Sequence, residues 1–346
     1  MTAILIRSHS APEQLEPLAH GGDLAAARQL FPDAPEPFID LSTGINPHPY
    51  PLPVVPPEVF ARLPDRPAIR RLAATAAQAY GAPSADHVVP APGTQMLLPQ
   101  VAMLKPPGRA AILRTSYAEH MRAATLAGHQ TAEVSDVAEL ESADLAIVVN
   151  PNNPDGRIVP KAALLYLADK LAARGGMLVV DESFVDVAPS GASLASDVGR
   201  FPLVVLRSFG KFFGLAGLRL GFAIAAPELA GRLDALLGPW AVSGAAVLIG
   251  EKALADTAWQ KQTVARLVEA AARLDLMLII AAQELVGGTA LYRLTRSANA
   301  ERLFMHLGRA GILVRRFREE PTWLRWGLPA DENAWRRLNE AFAKFR

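Results

Sequence analysis

The sequence predicts an α/β protein, with a mostly parallel sheet covered by helices on both faces and a smaller α+β domain at the carboxyl end. Three observations carry this. From about residue 66 to Leu206, short and continuously apolar runs alternate with helical stretches, the pattern of strands buried on both faces. After Pro227 the pattern becomes mainly helical, with short strands between. The length, 346 residues, exceeds one comfortable small domain. The expected division is an amino-terminal arm over 1–35, a large domain over 36–230 and a small domain over 231–346.

Taken in order, Gly22 to Leu30 reads as a short helix with Asp23 in its first turn, where a carboxylate suits the helix dipole. Eleven of the 28 prolines then fall between Pro32 and Pro67. Each removes an N–H and biases its predecessor away from helix, so composition alone reads this stretch as a linker. Helices are expected at Arg70–Tyr80, Thr94–Leu104, Ala118–Ala127 (stopped by Gly128) and Lys161–Arg174 (ended by Gly175-Gly176). Strands are expected at His87–Pro90, Ala110–Arg114, Leu145–Val149, Met177–Val180 and Leu203–Leu206. In the second domain a helical run from Ala258 to about Glu284 precedes a strand at Ala290–Leu294. A helix at Asn299–Gly308, a strand at Ile312–Arg315 and a last helix capped by Asp331 complete it.

Composition excludes several function classes. Apolar residues are 51% and charged residues 20%, as in soluble globular proteins. Thirty-five Lys and Arg against 34 Asp and Glu leave a net charge of +1, so no global field attracts nucleic acid or an anionic membrane. Cysteine is absent, which removes disulfides and a thiolate nucleophile. The apolar start at Met1 is too short for a signal peptide, no run reaches a membrane-spanning length, and a cytoplasmic location is expected. None of the seven histidines has His-x-x-x-His spacing, so no metal site is expected. No Gly-x-Gly-x-x-Gly turn supports a nicotinamide dehydrogenase. A regulator that kept a catalytic fold would need an added DNA-binding domain, and the short amino terminus suggests none.

Four segments carry chemistry. Leu206-Arg-Ser-Phe-Gly-Lys-Phe-Phe-Gly-Leu-Ala-Gly-Leu-Arg-Leu-Gly-Phe222 runs from a strand into a loop with one lysine and an arginine eight positions later. Lys211 lacks the Ser or Thr that follows a Walker lysine. Two readings remain: an exposed loop pair, or a Schiff-base lysine with Ser208 and Arg219 spaced to hold a phosphate. Val148-Val-Asn-Pro-Asn-Asn-Pro-Asp-Gly156 reads either as a plain Pro/Gly turn or as a turn presenting an asparagine amide. In Val179-Val-Asp-Glu-Ser-Phe184, Asp181 ends an apolar strand, where ligands of open α/β sheets bind; a helix cap is the alternative. Ala91-Pro-Gly-Thr-Gln95 opens a helix whose first N–H groups, at Thr94 and Gln95, suit an anion.

In this order the four segments resemble the fold-type I pyridoxal-phosphate enzymes of the aspartate aminotransferase superfamily, from about residue 36 to the end. The resemblance implies a large domain with a mostly parallel seven-stranded sheet, bound pyridoxal 5'-phosphate, and a homodimer with shared active sites. It makes Lys211 the Schiff-base lysine and proton shuttle, Asp181 the partner of the pyridinium nitrogen, and Asn153 the hydrogen-bond partner of the ring O3′. Tyr117, in Arg114-Thr-Ser-Tyr-Ala-Glu-His120, becomes the residue stacked on the ring, with Thr94, Gln95, Ser208 and Arg219 around the phosphate. Arg325 stands in an otherwise apolar strand, Thr322-Trp-Leu-Arg-Trp-Gly-Leu-Pro329, and a buried arginine needs an anion. The resemblance makes that anion the substrate α-carboxylate; an internal Asp or Glu is the alternative.

Within the superfamily, His20-Gly-Gly-Asp23, Ile39-Asp-Leu-Ser-Thr-Gly-Ile-Asn-Pro47 and Gly238-Pro-Trp-Ala-Val-Ser-Gly244 resemble the threonine-phosphate decarboxylases of cobalamin biosynthesis, close relatives of the histidinol-phosphate aminotransferases. This resemblance implies conversion of O-phospho-L-threonine to (R)-1-amino-2-propanol O-2-phosphate and CO2. The alternative is amino transfer from histidinol phosphate to 2-oxoglutarate. Either substrate is small and phosphorylated, so a second anion site is needed. Arg316, or His20 with the backbone N–H groups of Gly21 and Gly22, are the candidates. Arg315 and Arg316 point to opposite faces of a strand, so one of them faces the site. Asn46, with Ser42 and Ile45, is expected along the active site on an ordered proline-rich arm that crosses the dimer interface. Four positions depart from the superfamily pattern: Gly210 for a Ser or Thr, Leu63 and Phe184 for tyrosines, and Asp155 for a threonine.

Overall fold

The computed structural model describes residues 20–345, with twelve strands among them. In chain order these are β1 (Ile39–Leu41), β2 (Val88–Ala91), β3 (Arg109–Leu113), β4 (Gln130–Val134), β5 (Leu145–Val149) and β6 (Met177–Asp181). Then follow β7 (Leu203–Ser208), β8 (Gly221–Ala225), β9 (Glu284–Thr289), β10 (Tyr292–Arg296), β11 (Ile312–Arg316) and β12 (Trp323–Gly327). The part of the expected amino-terminal arm before residue 20 lies outside the described residues.

Seven strands form the large sheet in the order β2-β8-β7-β6-β5-β3-β4, with β8 antiparallel to both neighbours and the remaining pairs parallel. Strands β5, β6 and β8 are buried at every residue, which is why they read as unbroken apolar runs. Successive side chains enter opposite cores: Leu203 and Val205 join one, Val204 and Leu206 the other. Helices Thr94–Ala102, Glu119–Leu126 and Pro227–Leu237 cover one face, and Arg66–Tyr80 and Lys161–Ala173 cover the other. Strand β4 escapes the sequence pattern because an edge strand of Gln-Thr-Ala-Glu-Val keeps polar side chains in water.

The smaller sheet has the order β1-β11-β12-β10-β9. Its first strand comes from the proline-rich stretch, which the sequence placed in the large domain: Ile39–Leu41 pairs in parallel with Ile312–Val314. Three extended residues at a sheet edge are what a proline-flanked segment can still offer. Caps set several helix ends. Asp65 accepts from Ala68 N at 2.7 Å and Asp331, as expected, from Ala334 N at 2.8 Å. Asp23 is the cap of the helix Leu24–Leu30 rather than a first-turn residue. The expected run from Ala258 is the helix Thr257–Ile280, which Asp256 caps; it ends before Glu284, where β9 begins. No helix among the described residues is long and apolar enough to cross a membrane.

Strand β2 is antiparallel to β8, and β8 to β7, so β2, β5, β6 and β7 all run the same way. Their carboxyl ends therefore share one edge of the sheet, where open α/β sheets bind ligands.

Candidate active site

Each of those four strands ends in a segment singled out above. After β2 come Gly93, Thr94 and Gln95; after β5, Asn150 to Asn153; β6 ends at Asp181; β7 ends at Ser208 and leads into the short helix Phe209–Phe212 that carries Lys211. Register fixes their neighbourhood, since Val149 lies beside Asp181, Asp181 beside Leu206, and Ser208 beside Gly221.

The Lys211 amine is pushed down to about 8, first by burial and then by the positive charges of Arg325 and Arg219; Asp181 opposes them. It stands 5.7 Å from the Phe184 ring and, among the described residues, makes no ion pair. Asp181 is also buried, which raises its carboxyl, but bonds from His120 and Ser183 outweigh burial and hold it below the usual range. His120 Nε2 lies 2.9 Å from Oδ2, and the Ser183 hydroxyl and N–H donate to Oδ1 at 2.5 and 2.9 Å. A carboxylate so held stays ionised and can keep a proton on a cationic ring nitrogen facing it.

An anion cradle lies at the start of the helix Thr94–Ala102. Gly93 has φ +86°, and a Cβ there would lie 2.8 Å from Arg219 Nη2. A Cβ on Gly221 would lie 2.7 Å from Thr94 N. Glycine at both positions lets the guanidinium and β8 close on a helix end whose first N–H groups have no intrahelical partner. Arg219, which adopts φ 55°, donates to Ala216 O at 3.2 Å and meets no carboxylate among the described residues. Tyr117 donates to Gln95 Oε1 at 3.0 Å, and burial with the nearby Glu119 and Asp181 pushes its hydroxyl up to about 12.

Arg325 closes the opposite wall. It is buried, donates from Nη1 to Asn153 Oδ1 at 2.5 Å and from Nη2 to Ser42 O at 2.7 Å, and leaves its buried Nε without a partner. Burial lowers it to about 10, and no carboxylate pairs with it among the described residues. Among the described residues, then, the internal acid that would be the alternative partner is not found, and Asp40 acts on Arg325 only through its charge.

Several expected binding residues are placed otherwise. Arg316 turns outward, bonding Glu301 at 2.8 Å and covering the Phe304 ring at 4.5 Å. Arg315 faces inward instead: it lies directly opposite Arg325 in the β11–β12 register, and opposed residues of an antiparallel pair share a face. Asn46 is a tether, with Nδ2 donating to Phe212 O at 2.8 Å and Oδ1 accepting from His48 N at 2.9 Å. The Gly22 N–H is committed to Ser42 Oγ at 2.7 Å, and Gly21 packs against Ser42. His20 Nε2 lies 2.8 Å from Glu119 Oε1. Sequence reading passed over His120 and Glu119, although both stand in the quoted Tyr117 segment; helical spacing beside Tyr117 was the available signal.

The residues fit pyridoxal phosphate on these observations: a depressed lysine amine, an ionised carboxylate across from it, and a glycine-lined anion cradle with a free-standing arginine. The family Aminotransferase class I and II matches residues 57–341. The threonine-phosphate decarboxylases of Pseudomonas aeruginosa and of a Sinorhizobium species are each 42% identical, over 95% of this chain and 98% of their own. The fold matches a histidinol-phosphate aminotransferase from Sinorhizobium meliloti, solved with pyridoxal-5'-phosphate, at a TM-score of 0.80 and 19% identity, over 98% of this chain and 99% of that one. With most of its length matched and its lysine, carboxylate and anion cradle in place, the chain belongs to the aminotransferase class I and II family of pyridoxal-phosphate enzymes.

Proposed function

We propose that this chain decarboxylates O-phospho-L-threonine to (R)-1-amino-2-propanol O-2-phosphate and CO2, as a step of cobalamin biosynthesis. The observation that carries the reading is the Arg315–Arg325 pair, two cations side by side on one face of the small sheet. A substrate with two anionic groups, an α-carboxylate and a phosphate, suits a face of this charge. The full-length relatives named threonine-phosphate decarboxylase support the same substrate.

Bound at Lys211, pyridoxal phosphate supplies an electron sink for the pair left when the Cα–carboxylate bond breaks. Thr94, Gln95, Ser208 and Arg219 would hold its phosphate, Tyr117 would lie against its ring, and Asn153 would serve its O3′. Asp181, held ionised by His120 and Ser183, would keep the proton on the ring nitrogen. Arg325 grips the α-carboxylate with its planar fork, and Arg315 takes the substrate phosphate. Lys211, with an amine near neutrality, delivers the proton that replaces CO2 at Cα. Phe184 and Tyr292, packed edge to face at 5.0 Å, keep water from that side.

The working unit is a homodimer in the cytoplasm. Leu52, Val54, Phe60 and Leu63 support it, standing 64%, 92%, 71% and 65% exposed along the proline-rich arm, a run of apolar surface that a second copy would cover. The decisive experiment incubates the holoenzyme with O-phospho-L-threonine and measures CO2. Release of CO2 that stops in Lys211→Ala is expected. No CO2, together with amino transfer from histidinol phosphate to 2-oxoglutarate, overturns the reading.

A further inference from the structure

Glu119 opens the helix Glu119–Leu126, yet it is only 6% exposed. A buried carboxylate is costly unless its lone pairs are filled. Here one oxygen lies 2.8 Å from His20 Nε2, and the other accepts from Gln95 Nε2 at 3.1 Å. Arg122 Nη1 stands further off, at 3.7 Å. The bond to Gln95 decides which way its amide turns: with Nε2 on Glu119, Oε1 is left to accept the Tyr117 hydroxyl at 3.0 Å. A chain of four groups thus runs from His20 through Glu119 and Gln95 to the ring of Tyr117, and the His20 and Tyr117 rings lie 5.9 Å apart.

The next residues of the same segment hold the other wall. Gly22 N–H donates to Ser42 Oγ at 2.7 Å, and a Cβ on Gly21 would come within 2.2 Å of Ser42 O. That carbonyl is the one Arg325 Nη2 bonds. His20 to Gly22 therefore lie as a strap from the large-domain wall, at Glu119 and Tyr117, to the small-domain wall, at Ser42 and Arg325. The strap carries no regular structure, and its contact with the large domain passes through the His20 side chain, which is 45% exposed.

We propose that Glu119 is a positioning residue: it latches the His20–Gly22 strap across the mouth of the site and, through the same carboxylate, sets the Gln95–Tyr117 pair. The substrate part of this proposal rests on the function proposed above. A closed strap strengthens substrate binding without entering the chemical step, so its loss raises KM and spares kcat.

The test compares the wild-type holoenzyme with Glu119→Gln, His20→Ala and the double variant. A bond to a charged group is worth about tenfold or more in an equilibrium. Hydrogen exchange at the Gly22 amide is expected to quicken about tenfold in both single variants, while amides of β5 and β6 keep their wild-type protection. KM for O-phospho-L-threonine is expected to rise about tenfold in His20→Ala with kcat within about twofold, whereas Glu119→Gln raises KM and, by releasing the Gln95–Tyr117 pair, also shifts the cofactor absorbance. Because both changes open one latch, Gly22 exchange in the double variant should match that of either single one. Unchanged exchange at Gly22, or single effects on that exchange that multiply in the double variant, overturns the proposal. If the wild type ignores O-phospho-L-threonine, the proposed function fails, and Gly22 exchange still decides the latch.

Discussion

Replacing Lys211 by methionine in the cofactor-free protein should stabilise the fold at neutral pH. The folded protein holds the Lys211 amine at about 8, against an ordinary 10.5, because burial and the charges of Arg325 and Arg219 disfavour the ammonium form. At 1.36 kcal/mol per pH unit this is a cost of about 3 kcal/mol, which the fold bears whenever the amine is charged. The side chain as a whole is only half-buried, so water reaches part of it and brings the figure toward about 2 kcal/mol. Methionine is unbranched like lysine and one atom shorter, carries no charge, and suits the Phe184 ring beside it.

The pH dependence gives the sign. The unfolded chain keeps the lysine proton up to about 10.5, while the folded chain releases it above about 8. Between these values unfolding takes up a proton, so wild-type stability rises with pH. The methionine variant has no such proton. Its advantage is therefore full below about pH 8 and fades through the window to about 10.5. Urea denaturation of both cofactor-free proteins at about pH 7 and about pH 10 measures it. A variant no more stable than wild type at pH 7, or one whose advantage persists at pH 10, would refute the reasoning. The stabilised variant also binds no cofactor covalently, the exchange of stability for chemistry expected at a catalytic group.

Arg325→Lys should raise KM for O-phospho-L-threonine about a hundredfold, since an ammonium cannot serve Asn153 Oδ1, Ser42 O and a carboxylate in one plane; steady-state kinetics with unchanged cofactor absorbance checks it. Gly221→Ala places a Cβ 2.7 Å from the Thr94 N and must push the helix start off the cradle. At about 1–3 kcal/mol of overpacking, the Kd for pyridoxal phosphate should rise by about fivefold to a hundredfold in a fluorescence titration. Arg207, buried over the Tyr80 ring at 4.1 Å, bonds Asp186 at 2.6 Å and stands 3.5 Å from Glu182. Arg207→Met strands both carboxylates and should cost about 3–5 kcal/mol by urea denaturation, a loss that shrinks as the pH falls and protonation removes their charge.

How much of this was legible in the sequence depends on what each residue answers to. The strands that carry the site were legible, because β5, β6 and β7 are nearly fully buried and so nearly wholly apolar. Asp181 and Arg325 stood out as charged residues in apolar strands and Lys211 as a lone lysine after one, while their roles and that of Asn153, in a proline-flanked turn, came only with the resemblance. Arg315 was not separable from Arg316, since which of the two faces inward is set by pairing with β12, a partner no local pattern names. Strand β8 was hidden inside the lysine segment, where Gly221 looked like loop and proved to be the floor of the cradle. Glu119 and His120 were hidden because their partners, His20 and Asp181, lie 99 and 61 residues away.

The proline-rich stretch is the clearest case of composition misread. A linker would leave its backbone to water, yet here the backbone is spent on the site. Ile39–Leu41 pairs with β11, and Ser42 O then takes Arg325. Four residues later Asn46 N donates to Lys211 O at 3.0 Å, and Tyr50 N to Phe213 O at 2.9 Å. Between them stand Pro47 and Pro49, which offer no N–H that would need a partner and enter folding with φ already set. Gly214, at φ +67°, completes the fit, for a Cβ there would lie 2.7 Å from both Asn46 O and Pro49 Cα. From Ser42 to Tyr50, then, one short run of chain ties the buried Arg325 to the short helix that carries Lys211. Asn46 matters through this tie: with its amide committed to Phe212 O and its Oδ1 to His48 N, it holds Lys211 in place. Proline at alternate positions suits a segment that must be rigid, extended and irregular at once, which is the demand made on a floor between the two sheets.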